Sequence, residues 1–90
     1  MTWWKFIYDA KTTTWCAYGR AAFVQAGTED AARTAGLAAA RTEYPASEIV
    51  EIAIGQSTEE AAAAFAARRA RWQQWMENTR TGTANTRADI

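Results

Sequence analysis

The N-terminal segment, residues 2–8, has the strongest strand pattern of the chain, with the sequence Thr-Trp-Trp-Lys-Phe-Ile-Tyr. Successive side chains of a strand point to opposite faces, so the pattern divides this segment into two sets. We predict that the aromatic set forms the core, and it consists of Trp4, Phe6 and Tyr8. We predict that the other set contacts a partner, and it consists of Trp3, Lys5 and Ile7.

A second strand pattern follows residues 9–12, a stretch typical of a short turn, and extends from about residue 13 to residue 26. This predicts a β-hairpin in which Tyr8 lies opposite Thr13, and Phe6 opposite Trp15. Gly19 interrupts the pattern and predicts a bulge. Residues 20–26 outrun the first strand, so we expect the third strand or another protein chain to pair with them. In this register the aromatic face continues through Trp15, Ala17, Gly19, Ala21 and Phe23.

The first helix is predicted to begin after Thr28, a good N-cap residue, and to end near Tyr44 because Pro45 follows. Leu37 and Tyr44 fall at an edge of this helix, where they pack on the other helix or form part of a contact surface. We expect a charge-free arc of small residues to lie on the aromatic sheet, namely Ala31, Ala32, Ala35, Ala38, Ala39 and Thr42.

Residues 48–55 read as a third strand, with Val50, Ile52 and Ile54 on one face and Glu51 on the other. A helix between two strands of one sheet favours a right-handed crossover, which makes the second and third strands parallel to each other. The first strand then fits between them in the order 2-1-3. The order 1-2-3 is the alternative.

A second helix is predicted from the capping box at Ser57 to about residue 78. Its apolar residues at helical spacing predict a buried stripe of Ala61, Phe65, Trp72 and Met76. Beside that stripe lie Arg68, Arg71 and Trp75, residue types that are enriched in recognition sites. This patch either binds a partner or is a core edge, with Trp75 folded over the core and the arginines solvated.

The elements together predict an α+β fold in the order β-β-α-β-α. Its three-stranded sheet is antiparallel or mixed, and two helices pack on one face. We predict a single domain over residues 1–79 and a flexible tail over residues 80–90, where no periodicity is found. Half of the 44 hydrophobic residues are alanine, so the core must combine aromatic rings with alanine faces.

Composition argues against an enzyme and against a metal or other cofactor. The chain has no histidine and one cysteine, Cys16, so the usual nucleophilic triads and zinc ligand sets are absent from the sequence. Its acidic pairs stand at the predicted helix starts, where they favour the helix dipole. Ten basic and ten acidic residues balance, which disfavours a protein that coats nucleic acid.

The sequence contains neither a signal-peptide pattern nor an apolar run long enough for a membrane span, and we expect a cytoplasmic protein. The sheet face that carries Trp3 is expected to be too apolar for a wet surface, which predicts self-association as a homodimer. We assign to that face Trp3, Ile7, Tyr18, Val24 and Ile49.

In size, organisation and lack of catalytic residues, residues 2–78 resemble the small proteins that phages and other mobile elements encode to block host defences, anti-CRISPR proteins among them. No sequence motif carries this resemblance. It implies a stoichiometric inhibitor that binds a bacterial nucleoprotein effector complex. Two alternatives remain: a nucleic-acid-binding protein that uses Arg68, Arg69, Arg71 and Trp75, and a structural homo-oligomer subunit.

Overall fold

A computed structural model describes residues 1–80 of the chain. It confirms the α+β fold and the predicted order of elements. Residues 81–90, which make up most of the predicted tail, lie outside the described residues. The chain divides into two compact units, Met1–Glu59 and a second that begins at Glu60. The elements are β1 (Thr2–Lys11), β2 (Cys16–Ala26), α1 (Glu29–Glu43), β3 (Glu48–Ser57) and α2 (Glu59–Arg80).

The sheet has the strand order β2-β1-β3, which confirms the predicted order 2-1-3 and rules out 1-2-3. Its central strand, β1, runs antiparallel to both neighbours. All hydrogen-bonded ladders of the sheet are therefore antiparallel, and β2 and β3 run in the same direction. The aromatic segment at the start of the chain thus lies in the middle of the sheet.

The hairpin turn comes later than the sequence pattern predicted. The Thr12 N–H donates to the Trp15 carbonyl over 2.8 Å, and the Thr12 hydroxyl accepts hydrogen bonds from the Thr14 and Trp15 N–H groups. The turn is therefore held by the Thr12 side chain and spans residues 12–15 rather than 9–12. Strand β1 continues to Lys11 as a result.

The predicted register between β1 and β2 is wrong. Phe6 lies opposite Ala22 instead of Trp15, and Tyr8 lies opposite Arg20 instead of Thr13. For residues 20–26 the shift is odd in residue number, so Ala21 and Phe23 lie on the face opposite to the predicted one. Before Gly19 the shift is even, since Ala10 pairs with Ala17, and Ala17 packs against the core as predicted. Because Thr2 pairs with Ala26, the predicted unpaired overhang at residues 20–26 does not exist.

Both outer strands contain a bulge. In β2 the irregularity lies at Gly19, whose φ of 63° favours glycine, and this confirms the predicted bulge. The Asp9 carboxylate accepts a hydrogen bond from the Gly19 N–H over 2.9 Å. In β3 the extra residue is Ile52, between the partners of Ile7 and Tyr8.

The bulge at Ile52 changes which β3 side chains share a face. Ile54 lies opposite Phe6 and packs in the core, but Ile52 is exposed and Val50 lies opposite Asp9, on the other face. The prediction that Val50, Ile52 and Ile54 point the same way is therefore wrong, because the pattern of alternation assumed an unbroken strand.

Helix α1 covers the aromatic face of the sheet. Its predicted N-cap is confirmed, since the Thr28 hydroxyl accepts a hydrogen bond from the Ala31 N–H over 3.1 Å. The residues that α1 buries are Ala32, Gly36 and Ala40, so the predicted arc of small residues is confirmed at Ala32, in part at the half-buried Ala35, and is wrong elsewhere. The exposed members of that arc are Ala31, Ala38, Ala39 and Thr42.

The contact of Gly36 with Phe6 explains which side of α1 faces the sheet. A Cβ atom at Gly36 would lie 2.5 Å from Cγ of Phe6, a ring that is fully buried. Only a residue without a side chain lets the helix approach this ring so closely. Leu37 and Tyr44 pack against the core of the sheet, an arrangement that neither alternative from the sequence predicted.

The core confirms the role predicted for the aromatic set of β1. Trp4, Phe6 and Tyr8 are all buried, and the Trp4 indole N–H donates to the Ala26 carbonyl over 3.1 Å. The rings of Phe6 and Tyr8 stack with their centroids 5.8 Å apart. Alanine and glycine from α1 and alanine from β2 fill the space around the rings. The predicted core of aromatics against small residues is therefore confirmed.

Candidate functional site

Helix α2 forms because its sequence suits a helix at every turn. Its first turn carries Glu59 and Glu60, which favour the positive end of the helix dipole. Seven alanines, the best helix former, fall between residues 61 and 70. Towards the other end, the Thr79 hydroxyl donates to the Trp75 carbonyl over 2.9 Å, and the Gln74 amide donates to Asn78 over 3.2 Å.

The buried stripe predicted on α2 is wrong in its C-terminal half. Ala61 and Phe65 are half-buried, whereas Trp72 is 57% exposed and Met76 is 45% exposed. Helical spacing correctly indicates that these residues share one side of the helix. It does not indicate whether that side is covered, because the same spacing serves a core and an interface with another molecule.

Trp72 and Trp75 form a stacked pair on the surface of α2. Their ring centroids lie 5.1 Å apart and their planes differ by 19°. Trp75 is 48% exposed. Residues three apart on a helix are neighbours, so the helix backbone itself sets this arrangement. The pair therefore presents aromatic surface to solvent without needing support from another element.

Two of the predicted arginines lie beside the tryptophan pair. Arg68 and Arg71 are exposed, and helical spacing places them on the flank that carries Trp75. Neither guanidinium has an ion-pair partner among residues 1–80. The structure thus brings together the three residues predicted on this helix, and adds Trp72 and Met76 to them. We call this surface the arginine–tryptophan face, and it consists of Arg68, Arg71, Trp72, Trp75 and Met76.

Arg33 on α1 shows what a structural arginine looks like in this protein. Its guanidinium donates to Glu51 on β3 over 2.7 Å, and to Glu29 and Asp30 over 3.2 Å each. The pKa of Arg33 is raised above its usual value, first because Glu51 accepts its hydrogen bond and then because Glu29 does. Arg33 ties a helix to a strand, a role that Arg68 and Arg71 do not have.

The other predicted site residues lie on the sheet face opposite α1. Trp3 and Ile7 are half-buried there, and Lys5 is exposed with its ammonium group 5.8 Å from the centre of the Phe23 ring. Two residues assigned to this face from the sequence were assigned wrongly. Val24 and Ile49 belong to the α1 side, because the register and the Ile52 bulge differ from the prediction.

An aromatic cluster that the sequence did not predict lies near the hairpin turn. Tyr44, at the C-cap of α1, has the ring of Trp15 at 5.8 Å and the ring of Tyr8 at 6.3 Å, between centroids. The Arg20 guanidinium lies 6.0 Å from the centre of the Tyr44 ring. The cluster was not predicted because the predicted register placed Trp15 opposite Phe6, away from Tyr44. Trp15 here supports the end of α1.

The lone cysteine, Cys16, lies on the surface, whereas a free cysteine on a strand is usually a small buried hydrophobe. The pKa of the Tyr18 phenol is raised above its usual value, first by a hydrogen bond with the Cys16 side chain. Electrostatic repulsion from Cys16, partial desolvation and repulsion from Asp9 raise the pKa of Tyr18 further. Tyr18 itself is 73% exposed, so the pair is a surface feature of β2.

Within residues 1–80, no three histidine, cysteine or acidic side chains lie close enough together to hold a metal ion. Among the helices of this part of the chain, none combines the length and the apolar character needed to cross a membrane. The arginine–tryptophan face is thus the candidate site with the clearest chemistry. No protein-family model, curated protein or solved structure matches this chain.

Proposed function

We propose that this chain is a non-catalytic binding module, and that the arginine–tryptophan face is the surface on which it binds a protein partner. The observation that carries the proposal is the exposure of three large apolar side chains within five residues, at Trp72, Trp75 and Met76. Large apolar side chains grouped on a surface are a common mark of interaction sites, and tryptophan and arginine dominate the energetics of interfaces.

The face offers enough apolar surface to support binding. A tryptophan side chain that is half exposed still presents roughly 100 Å², and covering it contributes about 2.5 kcal/mol at about 25 cal/mol per Å². Two such rings and Met76 therefore supply a compact anchor. Association itself costs several kcal/mol, so the figure is an upper bound for each ring.

Among binding modules, we propose that this one is a stoichiometric inhibitor of a bacterial defence effector complex, acting in the bacterial cytoplasm. Support for this comes from the resemblance in size and organisation to anti-CRISPR proteins, together with the location of the face. The face lies on a helix and not in a cleft, a form suited to occupying a site on another protein.

Capture of partners from a bacterial lysate tests the binding surface. We expect the wild-type chain to retain a specific protein in a complex of fixed stoichiometry, and the double variant Arg71→Glu/Trp75→Ala to lose most of it. Trp15→Ala is the matched control, because Trp15 is 44% exposed but lies outside the face. Circular dichroism verifies that each variant is folded. Equal capture by the wild type and the double variant would show that the face is not the binding surface.

A second measurement tests the inhibitor proposal. If the captured protein belongs to a defence complex, adding the purified chain should abolish its activity at about one chain per binding site. A partner from another class, or a captured effector that keeps its activity, would refute inhibition and leave the binding module in place.

Nucleic-acid binding is the second candidate, and one observation favours it. The stacked rings of Trp72 and Trp75 stand beside exposed arginines, a combination that stacks on bases and meets phosphates. A gel-shift titration with single-stranded DNA and RNA tests this candidate, since binding should weaken steeply as salt is raised. Failure to shift either at low salt would remove it.

The third candidate is a structural homo-oligomer that assembles through the sheet face of Trp3, Lys5 and Ile7. The half-buried apolar residues of that face favour it. Light scattering at a protein concentration of tens of micromolar measures the molar mass directly. We expect a dimer for the wild-type chain and a monomer for Trp3→Ala/Ile7→Ser. A monomeric wild-type chain at that concentration would exclude this candidate.

A further inference from the structure

The spacing of residues along α2 indicates what shape of partner fits the arginine–tryptophan face. Residues Phe65, Arg68, Trp72, Trp75 and Thr79 follow each other at alternating steps of three and four. This spacing keeps one stripe facing a second helix that crosses at a shallow angle. A helix is therefore the element that best matches the stripe.

The charge of the same region indicates what chemistry the partner helix carries. Residues 61–76 contain three arginines, Arg68, Arg69 and Arg71, and no acidic residue. Arg68 and Arg71 point their charge at solvent with no carboxylate partner among residues 1–80. Covering such groups without opposite charge leaves desolvated cations, which is costly. A partner with acidic side chains avoids that cost and is also steered towards the site.

A second copy of α2 is a poor partner for this reason. Residues 68–76 span only about 12 Å of helix. Pairing two copies through the face, in either direction, places its four arginines within that length, and Glu77 is the only acidic residue near them. The like charges oppose such a pair, so self-association through α2 is disfavoured.

Nucleic acid fits the face less well than an acidic protein helix does. The two ends of α2 carry acids, Glu59, Glu60 and Glu77, which repel a phosphate backbone that follows the helix. Trp72 and Trp75 stack on each other, so one face of each ring is already covered and is closed to a base. Met76 adds apolar surface that offers neither an aromatic ring to stack on a base nor a charge to bind a phosphate.

We infer that the partner of the arginine–tryptophan face is an amphipathic helix that places apolar side chains on Trp72, Trp75 and Met76, and carboxylates against Arg68 and Arg71. This inference rests on the proposed function and adds the chemical class of its partner. Its specific content is the pairing of acidic residues with two named arginines.

Selection of peptides on the purified chain tests the inference and does not require the natural partner. The probe is a displayed random library of peptides of about 16 residues, long enough to cover the face as a helix. We expect the enriched peptides to combine apolar residues at steps of three and four with two or more Asp or Glu. Their binding is then measured by fluorescence anisotropy at two salt concentrations.

Charge reversal identifies the residues that the peptides contact. Arg68→Glu/Arg71→Glu should weaken an enriched peptide by about tenfold or more, and higher salt should weaken its binding to the wild-type chain. The control is Ala66→Glu/Ala70→Glu, which also adds negative charge to exposed positions of α2, but at positions that are not helical neighbours of Arg68 or Arg71. It should change binding by no more than about twofold, since surface charges act weakly at a distance.

Three results would overturn the inference: an absence of enriched peptides, enriched peptides that are basic or lack helical spacing, and binding that Arg68→Glu/Arg71→Glu does not weaken. Tight binding of a dT15 oligonucleotide that displaces the peptides would assign the face to nucleic acid instead.

The failure of the inference and that of the proposed function give different results. If Trp72→Ala/Trp75→Ala abolishes capture of a lysate protein while no acidic peptide is enriched, the face binds a protein of another chemistry. If capture of the lysate protein is unchanged in that variant, the face is not the binding surface and both proposals fall.

Discussion

The two helices are both rich in alanine, yet they use their residues in opposite ways. Helix α1 buries its smallest residues, Ala32, Gly36 and Ala40, because the sheet beneath it supplies the aromatic rings. Helix α2 carries its own large residues, and Trp72 and Trp75 are about half exposed. The comparison separates two placements of aromatic residues: those of β1 fill the core of the sheet unit, while those of α2 lie exposed on the surface of the helix.

The largest expected effect contrasts a buried ring with an exposed one. Phe6→Ala removes the fully buried ring of the core and should lower the free energy of unfolding by about 4 kcal/mol. Trp72→Ala should change it by no more than about 0.5 kcal/mol, because exposed side chains contribute little to folding. Urea denaturation followed by circular dichroism measures both values.

If Phe6→Ala does not fold, Phe6→Leu provides the same contrast with a cost of about 1 kcal/mol. A large loss of stability in Trp72→Ala would show that this ring belongs to the fold, and the distinction between the two regions would fail.

The next effect contrasts the two sides of α1. Gly36→Val places a side chain where an added Cβ alone would lie 2.5 Å from the Phe6 ring. Overpacking of this kind should lower the free energy of unfolding by about 2–3 kcal/mol. Ala38→Val introduces the same side chain on an exposed position of the same helix and should cost about 0.5 kcal/mol through helix propensity alone. Equal costs in thermal unfolding would mean that Gly36 is not the close contact described above.

A smaller effect contrasts two indole groups. Trp4→Phe deletes the indole N–H that donates to the buried Ala26 carbonyl, which should cost about 1–2 kcal/mol. Trp75→Phe should leave the stability within about 0.5 kcal/mol of the wild type, since Trp75 is half exposed. Chemical denaturation resolves this difference, and a stable Trp4→Phe variant would show that the hydrogen bond adds nothing to folding.

The smallest effect contrasts two arginines. Arg33→Ala should lower the melting temperature slightly at low salt and less at high salt, because it removes ion pairs that salt screens. Arg68→Ala should leave the melting temperature unchanged under both conditions. Differential scanning fluorimetry across a salt series distinguishes the two, and equal behaviour would contradict the contrast between an arginine that ties a helix to a strand and one without an ion pair among residues 1–80.

The raised pKa of Arg33 fixes the sign of the accompanying pH dependence. A cation with a raised pKa in the folded state stabilises the fold at every pH below its unfolded value, and this contribution is lost only as the pH rises through the folded value. Between about pH 7 and pH 10 the guanidinium remains charged. The difference between wild type and Arg33→Ala should therefore stay constant over this range.

The sequence was sufficient for the elements, their order and the aromatic core, because these depend on periodicity and on caps such as Thr28. It was insufficient for the hairpin register. Asp9 is a common turn residue, but the actual turn depends on the Thr12 side chain capping two N–H groups, which composition does not reveal. The odd shift that resulted assigned the side chains of residues 20–26 to the wrong face of the sheet.

The buried side of α1 could not be predicted from the sequence either. The alanines of α1 are distributed widely around the helix, so hydrophobicity does not indicate which side is buried. The steric match between Gly36 and Phe6 selects the side that faces the sheet. For the candidate site, the residue types and spacing on α2 were enough to group Arg68, Arg71 and Trp75. They were not enough to show that Trp72 and Met76 are exposed with them.

The bulges of the two outer strands lie opposite the same part of β1, between Ile7 and Ala10. A straight outer strand offers an uninterrupted row of backbone groups on which further strands of other molecules can add, which is the first step of fibrous aggregation. Here Gly19 and Ile52 break that row on both sides of the sheet. Each outer strand beside this aromatic central strand thus carries a bulge, one of the features by which natural sheets discourage the addition of further strands.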